Sequence, residues 1–295
     1  MQKFLHKQRP ALYVLAGAFM ISFSAIFVKF VDISATSSAF YRVFFGFIFL
    51  FFTLVIKKIP FFPPRRHLPL ITLCGITFAL DLFFWHKSIL FIGPGLATLI
   101  SNFQVFLLAA IGFLFLREKA NILFFISIPL ALLGLFLIVG TEWQALSSTY
   151  KTGIYYGLLT AVCYTVFLLC LRKVQTDKDQ SFFSTLTAIS LISAFLLAIK
   201  MIFASASFQI PNIKTLCSLL ALGFFCQTVG WALISNGMPK IKASFTGLIL
   251  LLQPTLSFIW DVLIFRRPTS LLNWGGVFLT LIAIYLGLSS KKNGN

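Results

Sequence analysis

Apolar residues occur along this chain in ten long continuous runs, and short polar stretches separate each run from the next. Each run is long enough to cross the ~30 Å hydrocarbon core of a bilayer as a helix that rises ~1.5 Å per residue. A backbone in lipid must form its hydrogen bonds within its own segment, and the apolar positions do not alternate, so the runs predict helices and not barrel strands. The predicted spans lie at about residues 13–31, 35–56, 68–89, 96–116, 122–140, 153–171, 182–203, 216–235, 243–265 and 271–288. The pattern therefore predicts an all-α integral membrane protein with ten transmembrane helices.

The composition narrows the class of protein further. Hydrophobic residues make up 59% of the 295 positions and charged residues only 11%, and the mean hydropathy is +0.97. The chain contains 37 phenylalanines, which are tolerated on a surface that faces lipid. These values exclude soluble enzymes, fibrous proteins and disordered chains.

The basic residues predict the orientation of the spans. The chain has 24 Lys and Arg against 7 Asp and Glu, which gives a net charge of +17. Most of the basic side chains lie in the breaks between spans, with more than twice as many on the side of the N-terminus as on the other side. Because cytoplasmic loops are rich in Lys and Arg, we expect a multi-pass protein of the plasma (cell inner) membrane with both termini in the cytoplasm. This distribution explains the charge without a nucleic-acid partner.

The sequence contains no pattern typical of an enzyme or an ATP-driven pump. The five cysteines lie in or at the ends of apolar runs without a CxxC or Cys/His cluster, so we expect no metal and no cofactor. The histidines His6, His67 and His86 are not spaced as metal ligands, and no nucleophile is paired with a base. No Walker-type phosphate loop occurs, so gradient coupling or exchange is the expected energy source.

The two halves of the sequence resemble each other. A shift of 149 residues aligns them without a gap through a whole helix, and a shift of 146 aligns the helix before it. The three-residue difference falls in a connecting loop, where insertions are tolerated. The aligned pairs include Asp81/Gln227, Trp85/Trp231, Gln104/Gln253 and Arg117/Arg266. Five spans per repeat place the second copy in the opposite orientation, so we predict two inverted five-helix repeats at residues 1–147 and 148–295.

Several motifs resemble the drug/metabolite transporter superfamily, specifically its EamA-like branch of ten-span proteins. They are AFYRVFFGF around Arg42, GPGLATLISNFQVFLLAAIGFLFLREK with Glu118 near its end, and ASFTGLILLLQPTLSFIWDVLIF with Pro254. Two positions depart from the pattern, since Val105 stands where proline is expected and Arg267 stands where the second copy usually ends in glutamate. The resemblance covers nearly the whole chain. It implies two inverted halves, a central substrate cavity and alternating access for small metabolites, without fixing the solute.

Arg42 and Asp81 are the main candidates for a substrate site, because ionisable side chains within a span are costly and usually functional. Both are predicted at a similar depth, so they could pair if their helices are neighbours. Three roles stay open for this pair. It could be a permanent ion pair that locks two helices, or it could open to bind the carboxylate and the amine of a zwitterion. Alternatively, Asp81 could exchange a proton during each transport cycle.

Two tryptophans are further candidates for binding the substrate. Trp85 lies one helical turn after Asp81, and Trp231 lies one turn after Gln227. Tryptophans on such polar faces could form walls of a cavity, where they would bind rings by stacking or ammonium groups by cation–π contact. The alternative is that they anchor the helices near the lipid headgroups.

The amides Asn102, Gln104 and Gln253 also lie within predicted spans. Each could form an interhelical hydrogen bond worth ~0.6 kcal/mol, or could face a cavity as an uncharged donor and acceptor. Gln253 is next to Pro254, which removes a backbone donor and loosens the helix near the middle of the membrane.

Two more residues are candidates for coupling or gating, together with Asp81. His86, near a predicted outer end, could tune an outer gate with pH or could simply be solvated. Asp261 lies near the outer end of the ninth span, where Arg266 could neutralise it.

We therefore expect a secondary active transporter or exchanger of a small organic metabolite, with an amino-acid-like or other zwitterionic or aromatic solute as the first candidate. Nucleoside or nucleotide-type metabolites and quaternary amines are the alternative solutes. A membrane-embedded enzyme and a channel are alternatives from other classes. The expected partners are the solute and the lipid bilayer, with a proton as the candidate coupling ion, and the protein acts as a monomer or a homodimer.

Overall fold

The computed structural model describes residues 2–118, 122–139, 148–177, 180–266 and 269–289. Within these ranges it leaves the side chains of residues 2–8, 25, 35, 93–96, 99 and 261 undescribed. The described part of the chain is helical, with no strand. The all-α prediction is therefore confirmed for these residues.

The helices follow one another with short connections. They are α1 (Gln2–Ser22), α2 (Ser24–Lys29), α3 (Ala35–Lys57), α4 (Leu68–Ser101), α5 (Gln104–Leu114), α6 (Ile122–Val139), α7 (Ser148–Gln175), α8 (Phe182–Phe203), α9 (Ile213–Ala221), α10 (Trp231–Gly237), α11 (Ala243–Leu250), α12 (Leu252–Phe265) and α13 (Leu271–Ser289). A π-helical segment, Leu222–Gly230, joins α9 to α10, and 3₁₀ turns occupy Arg65–His67 and Met238–Lys240.

Seven of the helical stretches are long and apolar enough to cross a membrane. They are Arg9–Lys29, Thr36–Lys57, Arg65–Ile92, Tyr150–Gln175, Phe182–Phe203, Ile213–Lys240 and Ala243–Phe265. Three shorter apolar helices, Gln104–Leu114, Ile122–Ile138 and Leu271–Gly287, lie where the fourth, fifth and tenth spans are predicted. The structure thus supports seven spans by length and composition, and the total of ten stays a prediction.

Large apolar side chains are exposed along these helices rather than confined to the interior. Leu90, Phe195 and Tyr285 have 76%, 64% and 70% of their surface exposed. Soluble proteins seldom expose apolar surface on this scale, whereas lipid solvates it. The chain is therefore an integral membrane protein.

Helix α4 bends sharply in its second half. The indole Nε1 of Trp85 donates a hydrogen bond to Thr98 Oγ1 at 3.4 Å, although 13 residues of straight helix would separate the two positions by ~20 Å. A Cβ atom built on Gly157 would lie 3.2 Å from Ser88 Oγ and 2.8 Å from Ile100 Cγ2, so these two α4 residues meet the same neighbour. The bend lies between them, where the sequence GPG stands and where a connection between two spans is predicted.

The chain folds into two compact units, and each unit takes residues from both halves of the sequence. Unit 1 comprises Met1–Phe83 and Val166–Lys240, and unit 2 comprises Phe84–Thr165 and Ile241–Asn295. The compact units therefore differ from the two sequence repeats, and the repeat division at residues 1–147 and 148–295 stays a prediction.

In unit 1, α3 packs against α8 and against the π-helical segment. The approach to the π-helical segment is close, because a Cβ atom on Gly46 would collide with the side chain of Gln227, and one on Gly223 would lie 2.7 Å from Phe45 Cβ. Small residues permit such contacts between membrane helices. Since Arg42 lies one turn before Gly46, this contact brings Arg42 beside Gln227.

In unit 2, α6 packs along α13, and α5 packs along α11. A buried apolar core that includes Phe124, Phe245 and Phe258 joins these helices.

Two helices of unit 2 are interrupted at positions that the shift of 149 residues aligns. The first break, at residues 102–103, separates α4 from α5, and the second, at Leu251, separates α11 from α12. An amide residue follows each break. Gln104 comes directly after the first break, and Gln253 comes two residues after the second.

Candidate functional site

A chain of hydrogen bonds joins three helices of unit 1 inside the predicted membrane region. Arg42 Nε on α3 donates to Gln227 Oε1 at 3.3 Å, and Gln227 Nε2 donates to Ser190 Oγ on α8 at 3.2 Å. Gln227 is only 1% exposed, so its amide is removed from solvent and both of its polar atoms are bonded. Arg42 itself is half-buried, and its other N–H donors form no hydrogen bond with the described residues.

Asp81 on α4 is the acidic group of this site. It is 9% exposed and interacts electrostatically with Arg42, but no ion pair within 4.0 Å joins the two side chains among the described residues. The guanidinium is instead held by the uncharged Gln227. The two side chains form no direct ion pair in this structure, and the three roles expected for them stay predictions. Arg42 lies near Asp81 and Gln227, two positions that the repeat alignment makes equivalent.

Trp231 lies in an aromatic cluster of the same unit. Its ring centroid is 5.7 Å from that of Phe78 and 4.9 Å from that of Phe167, with both contacts edge-to-face, and the residue is 2% exposed. Phe78 and Phe167 stack on each other at 4.7 Å. This burial does not fit a headgroup anchor, and the role of Trp231 in binding the substrate stays a prediction.

In unit 2, Thr98 is the meeting point of two predicted site residues. Trp85 donates to its hydroxyl, and Asn102 Nδ2 donates to its backbone carbonyl at 2.7 Å. The ring of His86 lies 5.1 Å from that of Trp85, and His86 is buried with 9% exposure rather than solvated. These contacts stabilise the bend of α4 and fix the part of the helix that follows the bend, up to its end at Ser101.

The amides at the two breaks each have a polar atom without a partner in the part of the chain that the structure describes. Gln104 is 2% exposed, and its Oε1 is buried there without a hydrogen bond, as is Gln253 Nε2. Native proteins rarely leave such atoms unpaired, since each one costs ~1–3 kcal/mol in lost hydration. A carboxamide that is buried and unpaired at a helix break is able to bind a hydrogen-bonding group of a ligand.

The structure does not test the predicted coupling or gating role of Asp261. Asp261 belongs to α12, but its side chain lies outside the described residues. Its interaction with Arg266 stays a prediction. Within the described ranges, no group of three His, Cys, Asp or Glu side chains is arranged to hold a metal ion.

Sequence reasoning missed Ser190 and the π-helical geometry around Gln227. Serines are common in membrane helices, and Ser190 has no distinguishing neighbour in the sequence. A π-helical turn has no simple sequence signature, although such turns are frequent at functional sites. The usable signal was the alignment of Gln227 with Asp81, which marked position 227 without indicating its partners.

Three comparisons relate this chain to known proteins. The EamA-like transporter family matches twice, at residues 8–140 and at residues 151–289. A solved structure described as "Crystal structure of protein" superposes with a TM-score of 0.82 at 14% sequence identity, covering 96% of this chain and 98% of that one. At this identity the likeness concerns the fold alone. No curated protein matches the sequence.

Proposed function

The chain belongs to the EamA-like transporter family, and on this premise we propose that it is a secondary active transporter or exchanger of a small organic metabolite. It works by alternating access, with two inverted five-helix repeats as the moving framework. Its solute is amino-acid-like or another zwitterion, and aromatic side groups are accepted. The protein lies in the plasma (cytoplasmic) membrane with both termini in the cytoplasm.

The observation that carries this proposal is the unpaired arrangement of Arg42 and Asp81. Burying opposite charges in an apolar region is tolerated when they are paired, so two charges that lie close without an ion pair need another explanation. Arg42 uses Nε to bond Gln227 and keeps its other donors for a carboxylate, which a guanidinium binds in a bidentate manner. Asp81 provides the complementary site for an ammonium group.

Gln227 and Ser190 position the guanidinium rather than bind the solute. A free arginine side chain has many rotamers, and holding Nε fixes the plane of the remaining donors. Gln227 is held in turn by Ser190, and the close packing at Gly46 leaves it no room to turn away. The solute therefore meets a preorganised cationic group.

The amides of unit 2 are able to bind uncharged hydrogen-bonding groups. Gln104 and Gln253 present buried carboxamide atoms that have no partner among the described residues, and Asn102 and Trp85 are fixed through Thr98. Uncharged donors and acceptors of this kind distinguish side groups of similar size, because a solute that lacks the matching group leaves them unpaired.

Purified protein in liposomes tests the proposal directly. Liposomes preloaded with single solutes from a panel of amino acids, nucleosides and quaternary amines are assayed for counterflow of the labelled solute. We expect saturable counterflow of at least one zwitterionic amino acid, and none in liposomes without protein. Counterflow only of nucleosides or quaternary amines would reject the zwitterion site, whereas flux that does not saturate would indicate a channel.

A second candidate role concerns Asp81 and is favoured by its burial. Asp81 forms no hydrogen bond or ion pair with the described residues, so its carboxyl group is available to exchange a proton as well as to bind an amine. In this case uptake is driven by a pH difference across the liposome membrane. A potassium diffusion potential applied at equal pH on both sides separates proton coupling from a response to voltage alone.

A further inference from the structure

Glu118 binds the start of a helix that is far away in sequence. Its Oε1 accepts a hydrogen bond from the Ala243 backbone N–H at 2.6 Å. Its Oε2 accepts two more, from the Ser244 backbone N–H at 3.2 Å and from Ser244 Oγ at 2.7 Å. The carboxylate thus joins the segment that follows α5 to the N-terminus of α11, both within unit 2.

This carboxylate replaces the cap that the helix itself lacks. The residue before α11 is Lys242, whose side chain forms no capping hydrogen bond. The first N–H groups of a helix have no intrahelical partner and carry partial positive charge, so an anionic acceptor is favourable there. Glu118 supplies it from the segment that follows α5, which adds a polar contact to the apolar packing between α5 and α11.

The backbone at the end of α5 holds Glu118 in this position. Arg117 adopts the left-handed conformation with φ 52°, and the Glu118 N–H donates to the Gly112 carbonyl at 2.8 Å. Gly112 also leaves the space that the carboxylate occupies, since a Cβ atom there would lie 2.5 Å from Glu118 Oε2. The left-handed turn at Arg117 and the space beside Gly112 therefore together fix the position of the Glu118 carboxylate.

The second repeat has the same turn with the opposite charge. Arg266, which the shift of 149 residues aligns with Arg117, also has φ 52°; it follows α12 directly, whereas Arg117 lies three residues after the end of α5. The next residue is Arg267, which aligns with Glu118 and lies outside the described residues. The sequence therefore places a carboxylate after α5 and a cation at the aligned position after α12.

We propose that Glu118, Ala243 and Ser244 form a one-sided latch that holds α5 and α11 together at the end of unit 2 that the charge distribution predicts to be cytoplasmic. This inference rests on the proposed transport function, because a latch matters only if that end opens during a cycle. With no carboxylate at the aligned position of the second repeat, the two access states are unequal in free energy. The resting protein is closed at the cytoplasmic end, and Glu118 is a positioning residue that does not touch the solute.

Accessibility of the α5–α11 interface tests the latch without any solute. Leu108 faces α11, because a Cβ atom on Gly247 would lie 2.9 Å from Leu108 Cδ1, and it is 1% exposed. In the variant Leu108→Cys, the rate of modification by a small maleimide is measured on the peptide that contains residue 108, so the native cysteines do not interfere. We expect Glu118→Ala to raise this rate by at least ~10-fold, the effect of losing hydrogen bonds to a charged group.

Two further variants make the test specific. Ser244→Ala removes one of the three bonds and should raise the rate by a smaller factor of ~2–5, and it is informative even if Glu118→Ala does not fold. Arg117→Asn is the matched control, because it removes a neighbouring exposed charge and asparagine tolerates the left-handed conformation. It should leave the rate unchanged.

Equal rates in the parent, Glu118→Ala and Ser244→Ala proteins would overturn the latch, and so would an equal increase in Arg117→Asn. The labelling requires no transport. An increase confined to the latch variants, together with no counterflow of any solute, would support the latch as a structural contact and reject the transport proposal.

Discussion

The polar chain of Arg42, Gln227 and Ser190 in unit 1 and the amides at the helix breaks of unit 2 are buried in opposite ways. In unit 1 a cation is held by an amide, and that amide is held by a hydroxyl, so each polar atom of Gln227 has a partner. In unit 2 the amides at the helix breaks carry no charge, and within the described ranges Gln104 Oε1 and Gln253 Nε2 have no partner. The difference teaches that a charge must be supported by the protein at all times, whereas a neutral amide can be left for a ligand at a smaller free-energy cost.

The largest effect is expected where the supported charge is removed. Arg42→Ala should lower counterflow by about 100-fold, because a carboxylate loses two charge-assisted hydrogen bonds worth ~1.5 kcal/mol each. Arg42→Lys keeps the charge without the planar fork and should retain part of the activity. Both are measured in liposomes at equal amounts of folded protein. Full activity in Arg42→Ala would show that unit 1 supports the charge for structure alone.

A smaller loss is expected for the acid of the same site. Asp81→Asn keeps the size of the side chain but removes its charge, so we expect ~10-fold weaker counterflow of a zwitterion from one lost charge-assisted bond. If Asp81 also carries the coupling proton, exchange continues in this variant while uptake no longer responds to a pH difference. Unchanged exchange and unchanged pH response together would exclude Asp81 from both roles.

The sharpest test of the contrast between supported and unsupported amides measures stability, with no effect on transport required. Gln104 and Gln227 are 2% and 1% exposed, so the substitution to leucine at each position is a matched pair. Gln104→Leu should stabilise the protein by ~1 kcal/mol because it removes an unpaired polar group, whereas Gln227→Leu should destabilise it by ~1–3 kcal/mol because it leaves Arg42 unsupported. The measurement is thermal unfolding in one detergent, and shifts of the same sign would refute the contrast.

The helical architecture could be predicted from the sequence because the bilayer imposes it. A continuous apolar run in lipid must pair its backbone hydrogen-bonding groups internally, which a helix does. The all-α class and the positions of seven long helices therefore followed from hydropathy alone. The candidate polar residues were found by the same logic, since Arg42, Asp81 and Gln227 stand out against their apolar surroundings.

Their partners could not be predicted, because partners depend on helix rotation and packing. The approach of α3 to the π-helical segment at Gly46 decides that Gln227, and not Asp81, binds Arg42. Likewise, the burial of Trp231 between Phe78 and Phe167 depends on which helices are neighbours. The capping contact of Glu118 joins residues 125 positions apart, and no periodicity connects them.

The π-helical segment Leu222–Gly230 also affects how the protein can evolve. A π-helical turn contains one residue more than an α-helical turn, so deletion of a single codon just before Gln227 would restore regular winding and shift the neighbouring side chains of this segment by one position, while the flanking helices keep their orientation. A different group would then face Arg42, while the span would keep its length and apolar character. Loss of one amino acid therefore offers a short mutational route to a new solute preference without rebuilding the membrane fold.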